Sequence, residues 1–179
     1  MREIEIKAKL VDKQRVMKKL ESLGCVFEGE ITQEDTVYVE NMGSLDTFLA
    51  NKVFLRLRVK DNGKVLFTVK KRTLNLVAIE HEVEVSSRDE MEQALLLMGY
   101  QEAVKINKKR ITTHYDGCEI CIDEVENLGL FIEMEKLTEE GDPGEIQEGL
   151  FKFFESLGIN RSDRVEVGYD ILMLQKIIN

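Results

Sequence analysis

The sequence predicts a mostly β fold (α+β in class), in which eight antiparallel strands close into a barrel around a charged tunnel, flanked by about four helices. Eight segments alternate apolar and polar residues with period two, and charged residues recur on one face of six of them. The chain's 179 residues are 43% hydrophobic and 33% charged, which is typical of one globular domain. We expect that single domain to cover residues 1–179.

Eight strands follow from the period-two alternation. They are predicted near residues 2–10, 35–40, 52–60, 64–71, 78–85, 103–115, 118–125 and 130–137. Tight-turn signals at Asp61-Asn62-Gly63 and Tyr115-Asp116-Gly117 join two pairs of strands as hairpins. This number of strands with few helices favours a closed barrel over an open sheet. The segment 41–52 shows no clear period and is predicted to be a loop.

Four helices follow from the period of the apolar residues and from capping residues. Asp12, Ser87 and Asp142 each precede a helical stripe as N-cap residues, and the only proline, Pro143, takes a first helical position. A glycine ends each of these three helices. The predicted helices span about 12–24, 87–99, 142–158 and 169–178.

Charged side chains share one face on each of six strands. These faces are either the wet outside of a barrel with an apolar core or the lining of a tunnel. The helical stripes favour the tunnel, because the apolar faces of the strands would then pack against the helices. Such buried charges must pair, coordinate metal or surround a charged ligand. The pattern by itself leaves both arrangements open. The charged faces carry Glu3, Glu5, Lys7 and Lys9; Arg56 and Arg58; Lys64 and Lys70; Glu80, Glu82 and Glu84; Lys108, Arg110 and His114; and Glu133 and Glu135.

Composition argues against several classes of function. Lys and Arg number 25 against 34 Asp and Glu, and this net charge of −9 is unsuited to a general nucleic-acid binder. No apolar run approaches the roughly 20 residues that span a bilayer, and the N-terminus has no apolar signal region. The three cysteines cannot all pair within the chain. We therefore expect a reduced, cytoplasmic protein without nucleic-acid or membrane partners.

The pentad Glu3-Ile4-Glu5-Ile6-Lys7 resembles the ExExK signature of the CYTH proteins, also called triphosphate tunnel metalloenzymes. Further segments are similar to the family's successive strands in the same order, and the resemblance runs from Glu3 to about Leu174. Length and layout resemble the class IV adenylyl cyclase-like branch most closely. The matching segments are Asp35-Thr36-Val37-Tyr38, Leu55-Arg56-Leu57-Arg58, Phe67-Thr68-Val69-Lys70, Lys108-Lys109-Arg110, Ile122-Asp123-Glu124-Val125 and the stretch 128–135.

The resemblance implies an eight-stranded tunnel barrel in which acidic residues hold Mg²⁺ or Mn²⁺ and basic residues hold phosphate oxygens. Carboxylate oxygens suit these cations, and Arg can bind phosphate with two hydrogen bonds. The implied metal ligands are Glu3, Glu5, Asp123, Glu133 and Glu135. The implied triphosphate-binding residues are Arg56, Arg58, Lys70, Lys108 and Arg110, and the implied catalytic residues are Lys7, Tyr38 and Lys70.

This chain departs from the family pattern at several positions. Lys71-Arg72 stands where the family often has Gly-Pro, and Gly168-Tyr169 stands where the cyclase branch has Ser-Tyr. The Arg that usually precedes the acidic residues of the fifth strand is missing near Ala78-Ile79, so the roles of Glu80, Glu82 and Glu84 stay open.

Three functions are compatible with the residues. The leading hypothesis is a class IV type adenylyl cyclase that converts ATP to cyclic AMP and pyrophosphate. The second is a triphosphatase that hydrolyses thiamine triphosphate or inorganic triphosphate, with Tyr38 or Lys70 as proton acceptor. The third is a non-catalytic module that binds nucleotides or polyphosphate, which would leave the acidic set without a role. The two enzymes would use the same residues, and the resemblance also makes a homodimer an expectation.

Overall fold

The computed structural model describes residues 2–41, 43–74 and 76–178. Within these ranges, one sheet of nine strands winds into a barrel with five α-helices around it. The strands are β1 (Arg2–Lys9), β2 (Ile31–Val39), β3 (Val53–Lys60), β4 (Val65–Leu74), β5 (Val77–Val85), β6 (Gln101–Tyr115), β7 (Cys118–Val125), β8 (Gly129–Thr138) and β9 (Arg164–Val165). The helices are α1 (Lys13–Ser22), α2 (Leu45–Ala50), α3 (Arg88–Leu97), α4 (Pro143–Ser156) and α5 (Tyr169–Ile178), with a 3₁₀ turn at Arg161–Asp163. Among the described residues, none of the helices combines the length and apolar character that crossing a membrane requires.

The strands pair in the order β5-β4-β3-β2-β6-β7-β8-β1-β9, and a further β5–β1 pairing closes the barrel. Every pairing between neighbours is antiparallel, as predicted. The predicted hairpin between β6 and β7 forms because Asp116 and Gly117 both adopt positive φ, at 49° and 72°, as a type I′ turn requires. The closing seam is short and joins Glu3 to Ala78 and Ile4 to Val77. The predicted closed antiparallel barrel is thus confirmed, with β9 as an additional strand on β1.

Much of the apolar core lies outside the barrel, between the strands and the helices. The outward-facing side chains of Ile6, Ile120 and Ile132 pack against Leu20 of α1 and Phe151 of α4. A second cluster lies beneath α3, and a third joins α2 and α5 to the strands. Because the helices cover these outward faces, the charged faces of the strands point into the barrel. The tunnel arrangement, and not the wet outer surface, is the one that this chain adopts.

The prediction of a loop over 41–52 is wrong, because this segment contains the short helix α2. The Ser44 side chain accepts a hydrogen bond from the Thr47 backbone N–H and so caps the helix, and Phe48 is fully buried. A helix of six residues is too short to show an apolar period, so the sequence pattern gave no signal. With α2, the described residues contain five α-helices instead of about four. The second strand also begins earlier than predicted, at Ile31.

Candidate functional site

The barrel encloses a cavity of about 970 Å³, which we call the tunnel. Among the described residues, acidic and basic side chains line it in nearly equal number. All of the predicted site residues line the tunnel except Tyr38 and Asp123. Its apolar part lies near α2 and α5, where Leu49, Phe54 and Ile171 contribute to the wall. The structure therefore offers a charged region and an adjoining apolar region within one cavity.

Strand alternation places the charged side chains opposite one another across the sheet. In β1, Glu5 and Lys7 face the tunnel, while the intervening Ile6 faces the helices. The register sets Glu5 directly opposite Glu135 and Lys7 directly opposite Glu133 on β8. Side chains at such positions lie close enough to interact, so a like-charge pair and an opposite-charge pair sit side by side.

Lys70 connects acidic residues from two strands at one side of the tunnel. Its Nζ lies 2.6 Å from Glu3 Oε1 and 2.9 Å from Glu80 Oε2. Arg56 donates a second charged hydrogen bond to Glu80, at 3.0 Å. Burial opposes the ionisation of Glu80, but Arg56 and Lys70 together lower the pKa of this carboxyl to about 2. Glu80, whose role the sequence left open, is thus a permanent anion that positions two predicted phosphate-binding cations.

Three carboxyls of the tunnel instead hold their protons more tightly than usual. Burial raises the pKa of Glu3, Glu5 and Glu135 to about 7, and neighbouring carboxylates add to the increase. Lys7 Nζ lies 3.2 Å from Glu5 Oε1, yet this buried oxygen accepts no hydrogen bond from any described residue. The neighbouring cations therefore do not offset the effect of burial on these three carboxyls.

A second charged cluster lies deeper, where β6, β7 and β8 meet. Asp123 is fully buried and accepts hydrogen bonds from Arg110 Nε at 2.7 Å and from Lys108 Nζ at 3.0 Å. Glu133 pairs with Arg110 and, at 3.0 Å, with Lys7. Burial opposes ionisation of Asp123, but Arg110 and Lys108 keep its pKa below the ordinary value. Asp123, predicted as a metal ligand, lies behind the lining and orients the two cations that face the tunnel.

Arg58 forms another buried pair of the site, with Asp35. Arg58 Nε and its terminal nitrogen each donate to an Asp35 oxygen at 2.7 Å. Burial opposes the charge of Asp35, but Arg58 holds the pKa of this carboxyl well below its ordinary value. Asp35 belongs to one of the segments that resemble the family, but the resemblance assigned it no role. In the structure its side chain lines the tunnel with the other charged residues.

Tyr38 is not brought to the tunnel. It lies on the opposite face of β2 from Asp35, fully buried in the cluster with Leu55, Leu57 and Leu95. Its hydroxyl donates a hydrogen bond of 2.7 Å to Glu92 of α3. The residue that faces the tunnel beside it is Val37, which carries no titratable group. The predicted role of Tyr38 as proton acceptor does not fit this position.

Lys70 is also unsuited to accept a proton. Burial opposes its charge, but Glu3 and Glu80 more than offset this effect and raise the pKa of the amine well above the ordinary value. The side chain therefore stays an ammonium group at neutral pH. This environment fits a permanent cation and not a base.

Tyr169, at the start of α5, is a tunnel residue to which the sequence assigned no role. Its side chain is 8% exposed, and the ring packs edge-on against Phe131 with centroids 5.2 Å apart. Lys7 Nζ lies 4.1 Å and Lys108 Nζ 5.2 Å from the ring centroid, within the range of cation–π attraction. Burial and the charges of Glu133 and Asp123 raise the pKa of the hydroxyl well above its ordinary value.

Two departures from the family pattern, Arg72 and Gly168, meet at the tunnel end beside α5. Arg72 pairs with Asp170 of α5, donates to the Asn51 carbonyl at 3.3 Å, and stacks over Phe54 at 4.1 Å. A Cβ built on Gly168 would collide with Asp170 Oδ1. The absence of a side chain at residue 168 therefore leaves the space that Asp170 occupies when it binds Arg72.

Replacement of Gly168 by Ala is expected to destabilise the protein by about 1–2 kcal/mol, because the new methyl group displaces Asp170 from the partly exposed Arg72. The free energy of unfolding in urea measures this change. Gly149→Ala, in the middle of α4 with open space around its Cβ position, is the control and should be neutral or stabilising. If the effect persists at full size in an Asp170→Asn background, the collision is not its cause.

The acidic residues fit a divalent cation by chemistry, although they are not arranged around one. Among the described residues, no three Asp, Glu, His or Cys side chains already form a metal-binding group. Lys70 instead lies against Glu3, and Lys7 lies against Glu5. Carboxylate oxygens are the ligands that Mg²⁺ and Mn²⁺ prefer, and Glu5 and Glu135 lie directly opposite each other on β1 and β8. Glu3, Glu5 and Glu135 are the side chains best placed to hold it.

Comparisons with known proteins agree with this geometry. Residues 1–169 match the model of the family described as the CYTH domain. A protein of Methanocaldococcus jannaschii named "Putative adenylate cyclase MJ0240" is 30% identical over 173 residues, covering 94% of this chain and 97% of the relative. The PH1819 protein from Pyrococcus horikoshii OT3 superposes with a TM-score of 0.83 at 30% identity, over 97% of this chain and 99% of that chain. The Hippeastrum protein HpAC1 shares the fold, with a TM-score of 0.59 at 20% identity over 94% of this chain and 91% of that chain. The match to residues 1–169 spans nearly the whole chain, and this chain therefore belongs to the CYTH family.

Proposed function

We propose that this protein is a metal-dependent enzyme that binds ATP in the tunnel and converts it to cyclic AMP and pyrophosphate. The observation that carries the proposal is the juxtaposition of two kinds of charge in one cavity. Carboxyls with a pKa near 7, Glu3, Glu5 and Glu135, lie beside the cations Lys7 and Lys70. A triphosphate with its divalent cation needs both kinds of partner.

The size and shape of the tunnel support an organic triphosphate. A cavity of about 970 Å³ lies in the range of pockets that enclose cofactor-sized ligands. The apolar wall formed by Leu49, Phe54 and Ile171 offers a surface for a nucleoside. The charged region then receives the phosphates, so the ligand lies along the tunnel with its two chemically different ends matched to different walls.

The basic side chains have two distinct tasks in this proposal. Arg56 and Lys70 face the cavity and bind phosphate oxygens, while Glu80 fixes their positions. Arg110 and Lys108 are held from behind by Asp123, so they also present charge without needing to reorganise. A bound Mg²⁺ or Mn²⁺ would add Lewis-acid polarisation of phosphoryl oxygens.

The reaction requires one bond to form and one to break. The ribose 3′-oxygen forms a bond to the α-phosphorus, the bond from this phosphorus to the bridging oxygen of pyrophosphate breaks, and the proton of the 3′-hydroxyl passes to solvent. Negative charge accumulates on the departing pyrophosphate, and the fixed cations of the tunnel stabilise it. Lys7, close to Glu5 and Glu133, is positioned to contribute to this stabilisation.

The test is incubation of the protein with ATP and Mg²⁺ or Mn²⁺, with thiamine triphosphate and inorganic triphosphate in parallel, and chromatographic separation of the products. Cyclic AMP with pyrophosphate is the expected result. HpAC1, which shares this fold, is described as having a dominant triphosphatase activity. Orthophosphate without cyclic AMP would therefore make this protein a triphosphatase, and binding without turnover would make it a binding module.

The metal-free protein is expected to lose stability as the pH rises from about 5 to about 8. In the folded state the pKa of Glu3, Glu5 and Glu135 is about 7, against about 4.3 for an unfolded Glu. Between these values the folded state binds more protons, so the free energy of unfolding decreases as the pH rises. Each pKa unit of difference corresponds to about 1.4 kcal/mol. Thermal unfolding in a chelator across this pH range measures the loss.

Divalent cations provide the matching control for this pH dependence. Mg²⁺ or Mn²⁺ should raise the melting temperature more at pH 8, where the three carboxyls are ionised, than at pH 5. Glu80, with a pKa near 2, is charged across the whole range and adds little to the slope. Glu135→Gln should remove part of the slope. A metal-free melting temperature that is constant from pH 5 to 8 would contradict the assigned environment of these carboxyls.

A further inference from the structure

The Tyr169 hydroxyl is a buried polar group without a hydrogen-bond partner among the described residues. Buried hydroxyls in folded proteins are nearly always hydrogen-bonded, because leaving one unpaired costs stability. The side chain lines the tunnel and is 8% exposed, and its hydroxyl oxygen is itself shielded from bulk solvent. A ligand bound in the tunnel would supply the hydrogen-bond acceptor that the chain does not provide.

The surroundings of this hydroxyl indicate which kind of partner fits. The ring lies against Lys7 Nζ and Lys108 Nζ, which belong to different strands of the tunnel wall. The charges of Glu133, Asp123 and Arg110 also act on the hydroxyl. It is therefore located within the cluster of cations that the proposed function assigns to phosphate binding.

The neighbouring acceptors are already engaged. Asp123 accepts from Arg110 and Lys108, and Glu133 pairs with Lys7 and Arg110. Neither carboxylate hydrogen-bonds the Tyr169 hydroxyl. An anionic oxygen that entered between the two lysines would meet a hydroxyl donor together with two positive charges.

We propose that Tyr169 Oη donates a hydrogen bond to a phosphate oxygen of the triphosphate bound in the tunnel. This assignment rests on the proposed function, since it adds a ligand-contacting residue to the same site. Tyr169 is fixed for this task by its neighbours, because Asp170 ties the first turn of α5 to Arg72 and the Tyr169 ring packs on Phe131. A donor held in place before binding loses little conformational freedom when the ligand arrives.

The experiment compares two tyrosine-to-phenylalanine variants of the full chain. Tyr169→Phe removes the unpaired hydroxyl and keeps the ring. Tyr38→Phe is the matched control, since Tyr38 is also buried but lies outside the tunnel, and its hydroxyl donates a hydrogen bond of 2.7 Å to Glu92. Two quantities are measured for each: the Kd of inorganic imidotriphosphate, a nonhydrolysable probe, by calorimetry in Mg²⁺, and the melting temperature of the ligand-free protein.

The two variants should respond in opposite ways. Tyr169→Phe should raise the Kd by about tenfold or more, as expected for a lost hydrogen bond to a charged group, with an equal or higher melting temperature. Tyr38→Phe should leave the Kd unchanged and lower the melting temperature. This crossed pattern would support a hydroxyl that serves binding at the expense of stability.

Other outcomes overturn the inference and can be told apart. If the unmodified protein binds imidotriphosphate and Tyr169→Phe binds it equally well, the hydroxyl does not contact phosphate, while the proposed function stands. If Tyr169→Phe lowers the melting temperature as Tyr38→Phe does, the hydroxyl has a structural partner and the inference fails. If the unmodified, folded protein does not bind the probe, the proposed function fails together with the inference.

Discussion

Replacement of Glu5 by Gln is expected to lower metal-dependent turnover by on the order of a thousandfold while the barrel stays folded. A divalent cation supplies several kcal/mol of charge stabilisation, and each ~1.4 kcal/mol corresponds to a factor of ten in rate. Gln has nearly the same size but cannot supply the negative charge that holds the cation. Lys7 keeps Glu133 as a partner at 3.0 Å, so no cation is left unpaired. The measurement is kcat for cyclic AMP formation from ATP in Mg²⁺ or Mn²⁺.

The matched control for this prediction is Glu84→Gln. Glu84 belongs to the same charged strand face as Glu80, but it is exposed and pairs with Lys64 at 3.3 Å, outside the tunnel lining. The same substitution there should leave turnover unchanged. Undiminished turnover in Glu5→Gln, with the protein folded by circular dichroism, would remove Glu5 from the residues that hold the metal.

Replacement of Arg56 by Ala is expected to raise the Kd of the triphosphate about tenfold to a hundredfold without unfolding the protein. Arg56 faces the tunnel, and its buried Nε has no hydrogen-bond partner among the described residues. A hydrogen bond to a charged group contributes about 1.5–3 kcal/mol, which corresponds to this range of affinity. Glu80 keeps Lys70 at 2.9 Å after the substitution. Calorimetric titration with imidotriphosphate provides the Kd.

Arg58 gives a contrasting result, although it lies only two residues away on the same strand face. Arg58→Ala would leave Asp35 buried without its bidentate partner, and this should destabilise the fold by about 3–5 kcal/mol. Arg161→Ala, which removes a surface arginine paired with Glu148 and Glu155, should change neither affinity nor fold strongly. Equal affinities for Arg56→Ala and the unmodified protein would show that Arg56 does not bind phosphate.

The direction of each tunnel side chain could be predicted from strand alternation, and most of the site followed from it. Glu3, Glu5 and Lys7 were placed together because they are two residues apart in one strand, and the structure has them so. The same rule explains why Tyr38, which was predicted as a catalytic residue, does not face the tunnel. Asp35 and Tyr38 are three residues apart in β2, so they must face opposite ways, and the Asp35 side faces the tunnel.

The rest of the site depends on contacts between distant parts of the chain. Arg72 and Asp170 are 98 residues apart, and no period or spacing within one sequence connects them. The split of the carboxyls into those with low and those with raised pKa has the same origin. Glu80 and Glu3 share Lys70, but Glu80 also pairs with Arg56, whereas burial and the charges of Glu80 and Glu135 raise the pKa of Glu3. Such differences follow from three-dimensional neighbours and cannot be read from residue types.

The position of the apolar core outside the barrel affects how this protein can change over time. Packing between strands and helices holds the fold through side chains such as Ile6, Ile120 and Ile132, none of which faces the cavity. Residues inside can therefore be exchanged without emptying the core, provided that charges such as Arg58 and Asp35 change as matched pairs. In such a scaffold, the mutations that alter chemistry fall at different positions from those that alter folding. Activity toward new substrates can therefore evolve while the backbone is kept.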